Sequence, residues 1–97
     1  MTRILVVDDE PQIRKALSVN LRARGYDVDA AASGEEALSL AAANHPDLVL
    51  LDIGLPGIDG IEVVEGLRGW TRVPIIMLSV RDAEDDKVRA LDAGADD

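Results

Sequence analysis

Two runs of four branched apolar residues, Ile4–Val7 and Leu48–Leu51, are unbroken by any polar position. Such runs predict short strands buried on both faces. Asp27–Ala31 alternates instead, which predicts a strand at a sheet edge. Pro74–Leu78 predicts a fourth strand. Between the strands the spacing of apolar residues changes to a helical period. From Pro11 to about Arg24, Ile13, Ala16, Leu17 and Leu21 form an apolar stripe, with Arg14, Lys15, Ser18 and Arg22 toward water. Pro11 suits a first helical turn, and Gly25 suits the position just past the end. Ser33-Gly34-Glu35-Glu36 reads as a capping box. It opens a helix to about Asn44, with Ala37, Leu38, Ala41 and Ala42 inward and His45-Pro46 as the stop. Asp59-Gly60-Ile61-Glu62 opens a third helix to about Arg68. Asp82 is placed to cap a fourth, through about Ala93, with an Asp85–Arg89 pair and Gly94 closing it.

The order is βαβαβαβα with short connections and no linker or repeat. That predicts one α/β domain over residues 1–97, a doubly wound parallel sheet with right-handed crossovers. Hydrophobic content is 47%, but Tyr26 and Trp70 are the only aromatics, so the core must be aliphatic. The absence of cysteine excludes disulfides, zinc–thiolate sites and thiol chemistry, and fits a reducing cytoplasm. No signal-peptide pattern opens the chain, and no apolar stretch reaches membrane-spanning length. The net charge of −9 argues against direct contact with nucleic acid or an anionic membrane. It favours metal cations and basic partner surfaces.

The chemistry sits where strands end. Asp8 and Asp9 follow the first strand, Asp52 the third and Ser79 the fourth. In a sheet ordered 2-1-3-4 those strands are neighbours, and the C-terminal rim of such a sheet is where ligands bind. Three like charges brought together need a cation, and hard oxygen ligands suit Mg²⁺. A carboxylate beside Mg²⁺ is a nucleophile toward phosphorus and gives an acyl phosphate. The lone Asp52 is the expected nucleophile, Asp8 and Asp9 the metal holders, and the Ser79 hydroxyl a donor to a phosphoryl oxygen. Taken singly, each has a plainer reading. Asp8-Asp9 alone is a solvated helix cap, and a serine after a strand is usually a turn residue. His45 belongs to the opposite rim, and Glu84-Asp85-Asp86 is a solvated helix start. The Gly54–Gly60 loop lacks the lysine and hydroxyl of a P-loop.

The stretches ILVVDDEP, LVLLDIGLPGIDG, PIIMLS and ALDAGADD together resemble the receiver domain of bacterial two-component response regulators, over the whole chain. LRGW before VPIIMLS, with DKVRALDAGADD, is most similar to the OmpR/PhoB class and, within it, to KdpE-type regulators of potassium-transport operons. The resemblance implies a flavodoxin-like fold of the chemotaxis-regulator type. It makes Asp52 the acceptor of a phosphoryl group from a histidine kinase phosphohistidine. Asp9 would ligate Mg²⁺ directly, Asp8 largely through water, and Gly54 by its carbonyl. Ser79 matches the switch hydroxyl, and Pro56 and Gly60 match the loop after the acceptor strand. A cytoplasmic protein, homodimerisation and a DNA-binding domain beyond this chain are further implications.

Three departures from the family stand out. The chain ends at Asp97, before the family's aromatic-bearing fifth strand, Lys-Pro pair and fifth helix; the only lysines are Lys15 and Lys87. That ending predicts a receiver truncated at its C-terminus, with Pro74–Leu78 as an exposed edge. Val80 stands where alanine or glycine is usual, and Gly54 has no side chain. Two other readings compete. One is an Mg²⁺-dependent phosphohydrolase with an aspartyl nucleophile, of the haloacid-dehalogenase kind. Asp8-Asp9-Glu10-Pro11 breaks its DxD pattern, and no cap domain is present. The other is a non-phosphorylated interaction fragment.

Overall fold

The computed structural model describes residues 2–52, 60–78 and 94. Seven elements alternate along them: β1 (Arg3–Val7), α1 (Pro11–Ala23), β2 (Asp27–Ala31), α2 (Gly34–Asn44), β3 (Leu48–Leu51), α3 (Gly60–Arg68) and β4 (Ile75–Met77). The strands form one parallel sheet in the order β2-β1-β3-β4. β2 therefore lies at an edge, as its alternating pattern predicts.

The sheet is covered on both faces. Leu5, Val7, Val49, Leu51 and Ile75 point to one side, where Ala37 and Ala41 of α2 and Ile61, Val64 and Leu67 of α3 close over them. Ile4, Val6 and Val28 point to the other, against Leu17 and Leu21 of α1. Burying aliphatic surface is the main favourable term here, at about 25 cal/mol per Å². β1 is buried on both faces along Ile4–Val7. β3 is not: Val49 and Leu51 are buried, while Leu48 and Leu50 are half-buried.

Local signals set the element ends. Ser33 Oγ accepts from the Glu36 amide at 3.2 Å, and the Glu36 carboxylate accepts from the Ala32 amide at 2.7 Å. The capping box is thus real, with its return bond one residue earlier than the usual pattern. Gly25 takes φ +92° past the end of α1, a conformation that side chains disfavour. β4 covers Ile75–Met77, shorter than Pro74–Leu78, and Pro74 has no N–H to give at its start. Its flanks still pair: the Val49 amide donates to the Pro74 carbonyl at 2.9 Å, and the Leu78 amide to Leu51 at 2.8 Å.

Two helix faces differ from the pattern reading. Ser18 is buried in α1, with its Oγ lacking a hydrogen-bond partner, while Ile13 and Ala16 are exposed. Arg14 is half-buried rather than solvated. The sheet-facing row is Arg14, Leu17, Ser18 and Leu21, one step round from the hydrophobicity stripe. In α2, Ala42 faces solvent, and Leu38 and Leu40 flank the core. Asp59, Val80 and the fourth helix, Asp82 to Ala93, lie outside the described residues.

Candidate metal centre

β1 and β3 run side by side in parallel, with Val7 level with Leu51. Each strand is followed at once by its acid, so Asp8 and Asp52 emerge at the same height. Main-chain bonds lock that height: the Asp52 amide donates to Val7 at 2.9 Å and the Asp8 amide to Ala31 at 3.1 Å. Asp9 joins them from the start of the turn into α1. One carboxylate oxygen from each of Asp8, Asp9 and Asp52 falls within 4.8 Å of the other two. Asp8 is 3% exposed and Asp52 4%.

Three carboxylates this close, two of them buried and Asp9 half-buried, are an unfavourable arrangement unless something positive joins them. The strain shows on Asp8. Burial raises its carboxyl above the usual value of 3.8; Asp52 and Asp9 push the same way, while the Glu10 amide and Arg14 pull it down. Asp9 Oδ1 is buried with no hydrogen-bond partner. A buried carboxylate oxygen without a partner, on a member of an all-carboxylate cluster, fits a hard divalent cation and does not fit a thiophilic metal. Asp8, Asp9 and Asp52 are the described residues able to hold one.

The three acids singled out in the sequence, Asp8, Asp9 and Asp52, do come together in the structure. Ser79 and Gly54, and Pro56 with them, lie outside the described residues. Sequence reasoning missed the bracing of the turn. The Glu10 amide donates to Asp8 Oδ1 at 2.9 Å, and Arg14 Nη1 donates to the Asp8 carbonyl at 2.9 Å. A bond to a main-chain atom leaves no mark in a hydrophobic pattern, and the six-residue separation of Asp8 and Arg14 is the sole hint. His45 is exposed, with its ring 5.6 Å from that of Trp70. It ends α2 and leads toward the start of β3, on the rim away from the acids.

A protein-family model described as the response regulator receiver domain matches residues 4–97. The chain is 58% identical over 97 residues to the transcriptional regulatory protein KdpE of Mycobacterium tuberculosis. It is 50% identical to the KDP operon transcriptional regulatory protein KdpE of Escherichia coli. Both alignments cover all of this chain and 43% of the relative, so the chain spans less than half the length of these curated relatives. Among solved structures, chemotaxis protein CheY4 of Vibrio cholerae superposes with a TM-score of 0.91 at 34% identity, over 98% of this chain and 82% of that one. The BeF3-activated N-terminal receiver domain of RstA from Klebsiella pneumoniae gives 0.90 at 35% identity, over 97% and 80%.

Proposed function

The chain belongs to the response regulator receiver domain family, and we propose that it is the phosphoacceptor unit of a two-component transcriptional regulator, with Asp52 as the acceptor. The observation that carries this reading is the convergence of Asp8, Asp9 and Asp52 at one rim. Asp52 sits directly after β3, and its amide is bonded to β1, so its main chain is fixed at the rim beside Asp8. In the proposed step a carboxylate oxygen of Asp52 forms a bond to phosphorus as the P–N bond of a kinase phosphohistidine breaks. The electron pair leaves with the imidazole, which takes up a proton from solvent. Water later attacks phosphorus, the P–O bond to Asp52 breaks, and the carboxylate returns with inorganic phosphate.

Asp8 and Asp9, with Asp52 and the Gly54 carbonyl, would hold Mg²⁺. The ion, when bound, offsets charge on the phosphoryl oxygens. Ser79 is the proposed donor to one of those oxygens, on the strength of its place in the PIIMLS motif. A phosphoryl group at this rim adds charge where three acids already meet, and so shifts the balance between two conformations. The partner that supplies it is a sensor histidine kinase, and the response passes to a DNA-binding region of a longer cytoplasmic protein. Homodimerisation belongs to the same proposal. No helix among the described residues is long and apolar enough to cross a membrane.

Phosphotransfer tests this. A histidine kinase loaded with radioactive phosphate should pass label to the chain in Mg²⁺, and should pass none to Asp52→Asn or in excess chelator. Label retained by Asp52→Asn would refute the assignment. Turnover of a phosphate ester would instead favour a phosphohydrolase.

A further inference from the structure

Resting on the reading of Asp8, Asp9 and Asp52 as a cation-dependent site, we propose that Arg14 is a positioning residue of that site. It braces the turn between β1 and α1 so that the two adjacent carboxylates converge on Asp52 closely enough to hold Mg²⁺. The turn is short, and three bonds define it. The Glu10 amide closes onto Asp8 Oδ1 at 2.9 Å, the Arg14 amide donates to the Glu10 carbonyl at 3.1 Å, and Arg14 Nη1 donates to the Asp8 carbonyl at 2.9 Å. Arg14 thus grips the turn with its main chain and its side chain together.

The usual support for such a turn is lacking. Glu10 caps α1 without a side-chain hydrogen bond. Serine or aspartate at that position would normally contribute one. The burden of ordering falls on the Asp8–Glu10 closure and on the guanidinium. The guanidinium is half-buried and bonds a main-chain oxygen; among the described residues it makes no ion pair with a carboxylate. Its partner leaves the acids available to a metal. A cation placed here merely to neutralise the acids would compete with Mg²⁺, and its loss would tighten metal binding. A bracing residue does the opposite, since groups that orient metal ligands are commonly worth ten- to a hundredfold in affinity.

The two roles differ in sign, and titration calorimetry with Mg²⁺ alone on the whole chain separates them. Arg14→Gln should weaken Mg²⁺ binding on the order of tenfold. Arg14→Lys, which keeps the charge and one donor, should recover part of that loss. Lys15→Gln removes the same charge from the adjacent exposed position, and should leave affinity unchanged or slightly tighter. Circular dichroism checks that each variant is folded; if Arg14→Gln is not, the weakening in Arg14→Lys carries the test. Affinity equal to or tighter than wild type in a folded Arg14 variant overturns the proposal. Wild-type protein that binds no Mg²⁺ overturns the metal-site reading itself, and the proposal with it.

Discussion

Asp8 carries the clearest electrostatic cost in the structure. Its carboxyl is raised above the usual 3.8, first by burial and then by its acidic neighbours against the pull of the Glu10 amide and Arg14. The folded chain therefore holds this proton more firmly than the unfolded chain does. The stability contributed by the group is fully present below 3.8 and is lost as pH rises through the raised value. Without metal, Asp8→Asn should be more stable than wild type at neutral pH. That advantage should fade as pH falls through the raised value and be gone below 3.8, read by urea unfolding with chelator present. An advantage that persists in acid would remove burial of charge as its cause. Ser18 is costly for a different reason, with a buried hydroxyl lacking a partner inside α1. Ser18→Ala removes that group and improves helix propensity. Stability should rise by about 1 kcal/mol, read by denaturant titration. A loss of stability would mean that the hydroxyl is bonded in solution.

At the scale of elements, pattern and structure agree at β1 and at the start of α2, whereas the equally unbroken run of β3 leaves Leu48 and Leu50 half-buried. The unbroken run Ile4–Val7 is a doubly buried strand, and Ser33 with Glu36 starts α2. Ser33→Ala should cost about 1 kcal/mol in thermal unfolding, since it leaves the Glu36 amide without its acceptor; an unchanged melting temperature would show that water replaces the cap. Agreement fails where a polar side chain turns inward. Ser18 and Arg14 occupy the sheet-facing row of α1, and Ile13 is left 38% exposed. Hydrophobicity alone assigns that row to Ile13 and Ala16. Only the docking angle of the helix, set by tertiary contacts, decides otherwise. Ala42 and Leu40 trade places in α2 for the same reason, because alanine suits either environment and a helix of alanines has a weak face.

Across the whole molecule, the site is legible because topology converts sequence position into place. Asp8-Asp9 and Asp52 are more than forty residues apart. Each follows a short apolar strand, and parallel pairing of those strands brings them to one rim. The bracing by Arg14 and the Glu10 amide was not legible, because it runs through main-chain atoms. The proposed roles of Ser79 and Gly54 rest on the sequence motif, since both lie outside the described residues. At the other end of the sheet the Asp47 amide donates to the Arg3 carbonyl, and the Arg3 side chain pairs with Asp29 of β2.

The proposed function requires that these carboxylates make Asp52 a metal-dependent phosphoryl acceptor. Intact mass of the chain after incubation with acetyl phosphate, in Mg²⁺ and in chelator, tests it most directly. One added phosphoryl group is expected in Mg²⁺, none in chelator and none on folded Asp52→Asn. A folded chain that takes no phosphoryl group in Mg²⁺, or an adduct that survives in Asp52→Asn, would contradict it.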